Sequence, residues 1–391
     1  MRRMVFGLIA WCALAVNYLA GSSSVNAADD VTAQIEAILR VEKEGAGHAT
    51  AAAALKTLVQ QSPAALIPVL RGMDEANPLA ENWLRGSFEA IADRNRKAGT
   101  PLPKDELEQF ALDRTHAPPS RKLAFDWLVR IDPSATDRLV PGMLDDPSVE
   151  FRREGVARLI DAARQAGEAK DAAKSKELYT HAFQAALDPD QLDLAFDKLS
   201  EMGEKPDLQG QLGLLNNWWL IGPFDHREGI GFDAVYPPET EIDLEKRYPG
   251  LEGEASWVEK KSDQRHATLD LNTLIAPHKG AVQYAFREFE SDRERPVEIR
   301  VGTPNGWKLW VNGELLFAHE EYHQSMRMDQ YRTPALFKAG TNRILLKICQ
   351  NEQPEDWAQR WEFQVRVCDP SGVAVLPRLA NKPEGAEASP K

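Results

Sequence analysis

Cysteine is almost missing. The 391 residues hold three, Cys12, Cys349 and Cys368, and none stand at the close spacing of a zinc site or a dithiol redox motif. There is no glycine-rich phosphate loop, no G-x-S-x-G elbow and no c-type haem motif, so no cofactor and no resident metal is expected. Positive charge is also in deficit, with 47 Lys and Arg against 60 Asp and Glu and a net charge of −13. No basic stretch compensates for it, which disfavours nucleic acid and anionic membrane surfaces as partners. Only one long apolar run occurs, over residues 5–20, broken by Gly7 and Asn17.

That run follows Met1-Arg2-Arg3-Met4 and leads through Gly21-Ser22-Ser23-Ser24 to Val25-Asn26-Ala27. A basic start, a short apolar core and a small-residue exit read as a signal peptide over 1–27, cleaved after Ala27 or Ala28. At about 16 residues the run is short for a membrane span of roughly 20. Trp11 before Cys12 is unlike a lipoprotein box. The expected product is exported, to the periplasm or beyond, with no membrane span after cleavage. Its loss of Arg2 and Arg3 makes the charge two units more negative. About 360 remaining residues suit roughly two domains.

Residues 28–208 carry apolar side chains at three- and four-residue spacing, as in Ile35, Ile38, Leu39 and again Ala65, Leu66, Val69, Leu70. Pro63, Pro78, Pro133 and Pro147, each after Ser, Asn or Asp, suit helix N-termini. Leu66-Ile67-Pro68-Val69-Leu70 with Asn77-Pro78 is echoed about 70 residues on by Leu139-Val140-Pro141-Gly142-Met143 with Asp146-Pro147. The stretch from Asp145 to Glu154 resembles the turn and second helix of a HEAT repeat. The resemblance implies an N-terminal α-solenoid whose concave side holds a protein partner; a compact helical bundle is the alternative. His48, His116 and His181 stand alone and read as surface or packing histidines.

After Leu215 the texture changes to short runs rich in Val, Ile, Trp, Tyr and Phe between Gly, Asn, Asp and Pro. Strands are predicted over 281–289, 296–301, 307–311, 315–318, 333–337, 343–349, 361–367 and 373–376. Asn305-Gly306 and Asn312-Gly313 are expected hairpin turns. If 343–349 and 361–367 form one hairpin, Cys349 and Cys368 sit at its opposite ends and stay free thiols. Trp307 and Trp310, three apart, face opposite sides of one strand.

The segment Gly302-Thr303-Pro304-Asn305-Gly306-Trp307-Lys308-Leu309-Trp310-Val311-Asn312-Gly313-Glu314, with Leu336-Phe337-Lys338-Ala339-Gly340-Thr341-Asn342-Arg343-Ile344-Leu345-Leu346-Lys347, resembles the galactose-binding-like jelly roll. It is most similar to the sugar-binding domain that accompanies the barrel of family-2 glycosidases. The resemblance implies a C-terminal all-β jelly-roll sandwich, here 209–377, that binds a glycan through its loops without catalysing; the catalytic barrel of those enzymes has no counterpart here. Thr303-Pro304-Asn305 departs from the family, where acids often precede the glycine. Residues 378–391 read as a disordered tail. The expected whole is an α + β multidomain chain, solenoid then sandwich.

One catalytic motif needs weighing. His319-Glu320-Glu321-Tyr322-His323 reads as H-E-x-x-H, which on a helix would hold zinc and a general base. The preceding 315–318 leaves an Asn-Gly turn and reads as a strand, where i and i+4 lie roughly 13 Å apart, too far for one metal. The same segment reads better as a ligand-facing edge. His319, His323, Asp329 and Tyr331 supply donors, acceptors and an aromatic face, with Tyr331 alternatively in the core. Trp357, in the polar connection 351–359, is either a sugar-stacking platform or a lid on the sandwich edge. The leading expectation is thus a non-catalytic exported binding protein, its helical repeats for a protein partner and its sandwich for a glycan or another cell-surface component, with a zinc hydrolase and a purely structural scaffold as alternatives.

Overall fold

The computed structural model describes residues 30–378. The expected leader over 1–27 and all but the first residue of the expected tail over 378–391 lie outside them. The chain divides into two compact units, 1–151 and 152–391. No helix among the described residues is long and apolar enough to cross a membrane.

In the first unit, α1 covers 30–39, followed by α2 (His48–Leu58), α3 (Leu66–Met73), α4 (Pro78–Lys97), α5 (Lys104–Leu112), α6 (Pro118–Ile131) and α7 (Ala135–Leu139). Proline sits in the first turn of α4 and α6, where its missing N–H costs nothing. The Asn77 Oδ1 caps α4 by accepting from the N–H groups of Leu79 and Ala80 at 2.9 and 3.0 Å. The apolar stripes of these helices merge in one core that includes Leu66, Leu70, Leu84, Phe88, Trp127 and Leu128. Of the two echoed segments, 66–70 lies in α3 ahead of the 20-residue α4, whereas Leu139 ends α7 and Val140–Gly142 form a 3-10 turn ahead of the 20-residue α8 (Val149–Glu168).

Two polar ties lock this unit. Asp74, at the end of α3, accepts from the Ala117 N–H at 2.8 Å and the Ser120 hydroxyl at 2.7 Å, and its other oxygen lies 2.6 Å from His116 Nδ1. His116 also stacks on Phe110 at 3.8 Å, which makes it a packing residue. Arg121, fully buried, donates through Nε to the Ala111 carbonyl and through both terminal nitrogens to Asp146, at 2.9 and 2.7 Å.

The second unit holds α9 (Ala172–Ala185), α10 (Pro189–Glu201) and α11 (Leu208–Leu212), then twelve strands. These are β1 (Asn217–Asp225), β2 (Arg247–Gly250), β3 (Gly253–Ser256), β4 (Val258–Lys261), β5 (Leu269–Asp270), β6 (Ala281–Ser291), β7 (Arg295–Gly302), β8 (Gly306–Val311), β9 (Glu314–His319), β10 (Tyr331–Phe337), β11 (Gly340–Gln350) and β12 (Glu362–Cys368). A six-stranded antiparallel sheet runs β4-β1-β6-β11-β8-β9, a four-stranded one β10-β7-β12-β5, and β2-β3 forms a separate hairpin. The two larger sheets enclose one core. Alternate residues point into it, namely Trp307, Leu309 and Val311 of β8, Ile344, Leu346 and Ile348 of β11, and Phe363, Val365 and Val367 of β12.

Several expectations change. Asn312-Gly313 is the tight β8–β9 turn, with φ of +53° and +85° and Val311 paired to Glu314. Asn305-Gly306 is not a hairpin turn, because β7 and β8 belong to different sheets and the chain crosses between them there. For the same reason β11 and β12 are not a hairpin. Cys349 faces Val282 and Gly306 in one sheet and Cys368 pairs with Glu298 in the other. Burial pushes the Cys349 thiol up to about 12, so it stays protonated and inert. The expected strand over 373–376 reduces to a single bridge between Ala374 and Cys368. Trp310 is not exposed on the outer face. Residues between β1 and β4, among them Phe232, Ala255 and Trp257, build a second apolar layer there with Ile221, Tyr284, Phe286, Trp310 and Leu345.

Candidate functional site

One end of the two-sheet unit gathers the end of β1, the starts of β6 and β8, and the ends of β9 and β11. The loops 320–330 and 351–361 meet there. Their fixation begins in the core. Asn305, fully buried, donates to Gln350 Oε1 at 3.1 Å and to the Arg360 carbonyl at 3.2 Å, and accepts from the Glu362 N–H. Gln350 in turn donates to the Ala358 carbonyl, as does the Lys279 ammonium at 2.7 Å. Asn305 thus stitches down the loop that carries Trp357. Buried amides do this well because each supplies donors and acceptors that would be costly to leave unpaired.

Trp357 rides on this anchored loop with 62% of its surface exposed. Its ring meets His323 edge to face at 5.2 Å and 90°. His323 adopts φ +60°, and its Nε2 lies 2.9 Å from Asn351 Oδ1. The neighbouring Tyr322 lies against Gly306, where a Cβ would stand only 3.0 Å from its ring. A side chain here would push the Tyr322 ring away by a few tenths of an ångström. Beyond it, the Tyr322 hydroxyl is 2.7 Å from His226 Nε2 and 3.3 Å from Glu320. Glu352 accepts from the Glu228 N–H at 2.7 Å, closing the rim.

The five residues singled out from the sequence fall into three places. His323 and Trp357 come together as described. His319, at the end of β9, lies 5.1 Å from Tyr331 ring to ring and 3.3 Å from Glu321. Tyr331 packs beside Trp307 at 5.2 Å, so it belongs to the margin of the core. Asp329, with only 10% of its side chain exposed, lies under the four-stranded sheet's outer face. There it meets Arg366 through both oxygens at 2.6 Å and Arg300 at 2.7 Å. Burial alone would raise its carboxyl, but the hydrogen bonds and charges of Arg366 and Arg300 hold it below the usual carboxylate range.

The H-E-x-x-H segment is the end of a strand and a non-helical loop, so its histidines do not share a helix face. His319 and His323 have separate partners, and among the described residues no group of three or more His, Cys, Asp or Glu side chains could hold a metal ion. Sequence reasoning missed His226, Tyr322 and Asn351. They lie on the loops that follow β1, β9 and β11, and only the pairing of β1 with β6, β6 with β11, β11 with β8 and β8 with β9 brings them to one end. Chemically this edge offers an aromatic face, amides and carboxylates, a set suited to stacking and hydrogen bonding.

Burial, then the nearby Lys347 charge, lowers the His226 pKa from its ordinary 6.5. The folded protein therefore resists a proton that the unfolded chain accepts. Stability is full above about pH 6.5 and falls as pH drops towards the folded value. Thermal unfolding followed from pH 7.5 to 5 should show this decline, and His226→Gln, which keeps a nitrogen for Tyr322, should flatten it. An equal slope in both proteins would rule out His226 as the sensitive group.

No family model matches the chain, and no curated protein matches it. Among solved structures, the chain is similar to a β-glucosidase from Kluyveromyces marxianus, at 9% identity with a TM-score of 0.25 over 39% of this chain. The glucose complex of that β-glucosidase gives 8% identity with the same TM-score. In both cases the match spans 16% of the glucosidase chain.

Proposed function

We propose that the protein is a non-catalytic, exported binding protein whose β unit, read as a galactose-binding-like jelly roll, holds a glycan at the Trp357 edge. The single observation that carries this reading is Trp357, largely exposed yet held by an anchored loop and braced edge-on by His323. An exposed indole held in place offers a broad, flat apolar face, and a sugar ring presents a C–H face that covers it. Asn351, which meets the bracing His323, and its loop neighbours Glu352 and Gln353 supply the polar groups of the same loop for hydroxyls. In the same reading the helices form a HEAT-like solenoid that takes a protein partner, and export follows from the leader.

The test is a glycan array with the full mature chain, followed by titration of the strongest hit against Trp357→Ala. Affinity should fall at least about tenfold, the loss of one central aromatic contact, with an unchanged melting temperature because the side chain is exposed. Retention of no glycan, or equal affinity in the variant, would refute the assignment.

A further inference from the structure

A strand at the edge of a sheet leaves half of its N–H and C=O groups unpaired, and proteins blunt such edges with lysine, proline or a covering segment. Most edges of the two larger sheets are treated in this way. Strand β4 reads Val258-Glu259-Lys260-Lys261, with lysine at its last two positions. Strand β10 carries Arg332 and, in mid-strand, Pro334. The outer side of β12 is taken up by the short β5 at one end, and further along Leu215 donates to the Val365 carbonyl, Val367 to Gly213 and Val375 to Val367. Strand β9, Glu314-Leu315-Leu316-Phe317-Ala318-His319, has neither a basic lysine or arginine nor a proline, and Leu315 is 49% exposed. Glu314, also exposed, has no ion-pair partner among the described residues.

The register says which groups of β9 are free. Val311 and Glu314 close the two-residue turn, and such a closing pair exchanges its backbone hydrogen bonds. Alternate residues of β8 therefore turn their backbone towards β9, namely Val311, Leu309 and Trp307, whose partners are Glu314, Phe317 and His319. Leu315 and Ala318, opposite Trp310 and Lys308, turn their N–H and C=O groups outward. Their side chains share the outer face of the sheet, whereas the extra residue of the bulge, Leu316, packs with Phe317 against the core.

These six residues are complementary to themselves. If the β9 of a second copy lies antiparallel with its Ala318 opposite Leu315, the outward backbone groups of both residues meet, and the same pair recurs across the twofold axis. Leu316 then opposes the second copy's Phe317 on the core side, and Glu314 opposes its His319. Every opposed pair shares a face. A regular strand could not do this in an odd register; the extra residue at Leu316 permits it. An irregularity that often blunts an edge here sets a register, and acid meets imidazole at both ends. An unrelated strand would find the same free backbone but not this match.

We infer that the β9 edge is a self-association surface, at which two copies of the chain pair their β9 strands antiparallel about a twofold axis and join their six-stranded sheets into one. The test is sedimentation velocity on the full mature chain at up to about 0.1 mM. The wild type should form a dimer whose population rises with concentration. Leu315→Lys with Ala318→Lys sets lysines directly opposite one another in the dimer, and Leu315→Glu with Ala318→Glu sets glutamates there. Like charges so placed repel, so each double variant alone should stay monomeric. Both positions are exposed, and an unchanged melting temperature shows that the fold is intact. Mixed in equal amounts, the two variants should form a one-to-one heterodimer, because every lysine then faces a glutamate. A readout without any variant is hydrogen exchange, in which the amides of Leu315 and Ala318 should gain protection as concentration rises. The inference is overturned by a monomeric wild type, by a double variant that dimerises as the wild type does, by a mixture that stays monomeric, or by exchange at Leu315 and Ala318 that ignores concentration.

Discussion

Replacing Asp329 with alanine should destabilise the second unit by about 3–5 kcal/mol, the usual consequence of removing one partner from a buried charge cluster. The carboxylate is the shared acceptor of Arg366 and Arg300, whose side chains are 4% and 6% exposed. Glu298 takes part of the Arg300 charge, at 2.7 Å. Among the described residues, Arg366 keeps the Leu212 carbonyl, at 3.2 Å. For a unit of this size the melting temperature should drop by roughly 10 °C or more. Asp329→Asn should lie between, since the amide keeps an acceptor but not the charge. Because the folded carboxyl titrates below its unfolded value, the contribution is complete above about pH 4 and disappears as pH falls through the folded pKa. Glycan affinity measured at a temperature where the variant remains folded should match that of the wild type. A variant that melts normally but binds weakly would return Asp329 to the ligand-contacting role that its place in the sequence suggested.

The contrast between Asp329 and Trp357 shows where sequence reasoning succeeds here and where it stops. Strands β6 to β12 were legible because their alternation is strong. Ile344, Leu346 and Ile348 face the core, and the chain turns at residues such as Asn312 and Gly313 that accept positive φ. Sheet membership was not legible. A local hairpin is the default link between neighbouring strands, and nothing local in residues 302–306 or 350–361 reports that the chain there crosses to the other sheet. The site suffered accordingly. His319, His323, Asp329 and Tyr331 are near in sequence, yet a loop with left-handed residues at His323 and Asp329 directs them to different surroundings. Lys347 did leave a trace. A lysine within Ile344-Leu345-Leu346-Lys347-Ile348-Cys349, apolar on both faces, implies a covered outer face and a buried partner. Naming that partner as Glu239, 108 positions away, required the fold.

In the helical unit the largest effect should come from Arg121→Met, again about 3–5 kcal/mol. The guanidinium is 1% exposed and Asp146 is 2% exposed, so removing the cation leaves a buried carboxylate with only the longer contact to the half-exposed Arg114, at 3.7 Å, among the described residues. The loss spreads further than one ion pair. Arg121 also satisfies the Ala111 carbonyl at the end of α5 and lies over the Phe151 ring at 5.1 Å. Asp146 Oδ1 additionally accepts from the Ser148 N–H at 2.8 Å, directly before α8. One buried pair therefore ties the end of α5, the body of α6 and the turn into α8. Hydrogen exchange should register this as lost protection in peptides from α5 and α6, while peptides from β6 and β11 keep theirs. Arg121→Met combined with Asp146→Asn should recover part of the loss, since the stranded charge is gone while an amide oxygen remains for Ser148. Unchanged exchange in α5 and α6, or a double variant less protected than the single one, would show that the pair does not hold these helices together.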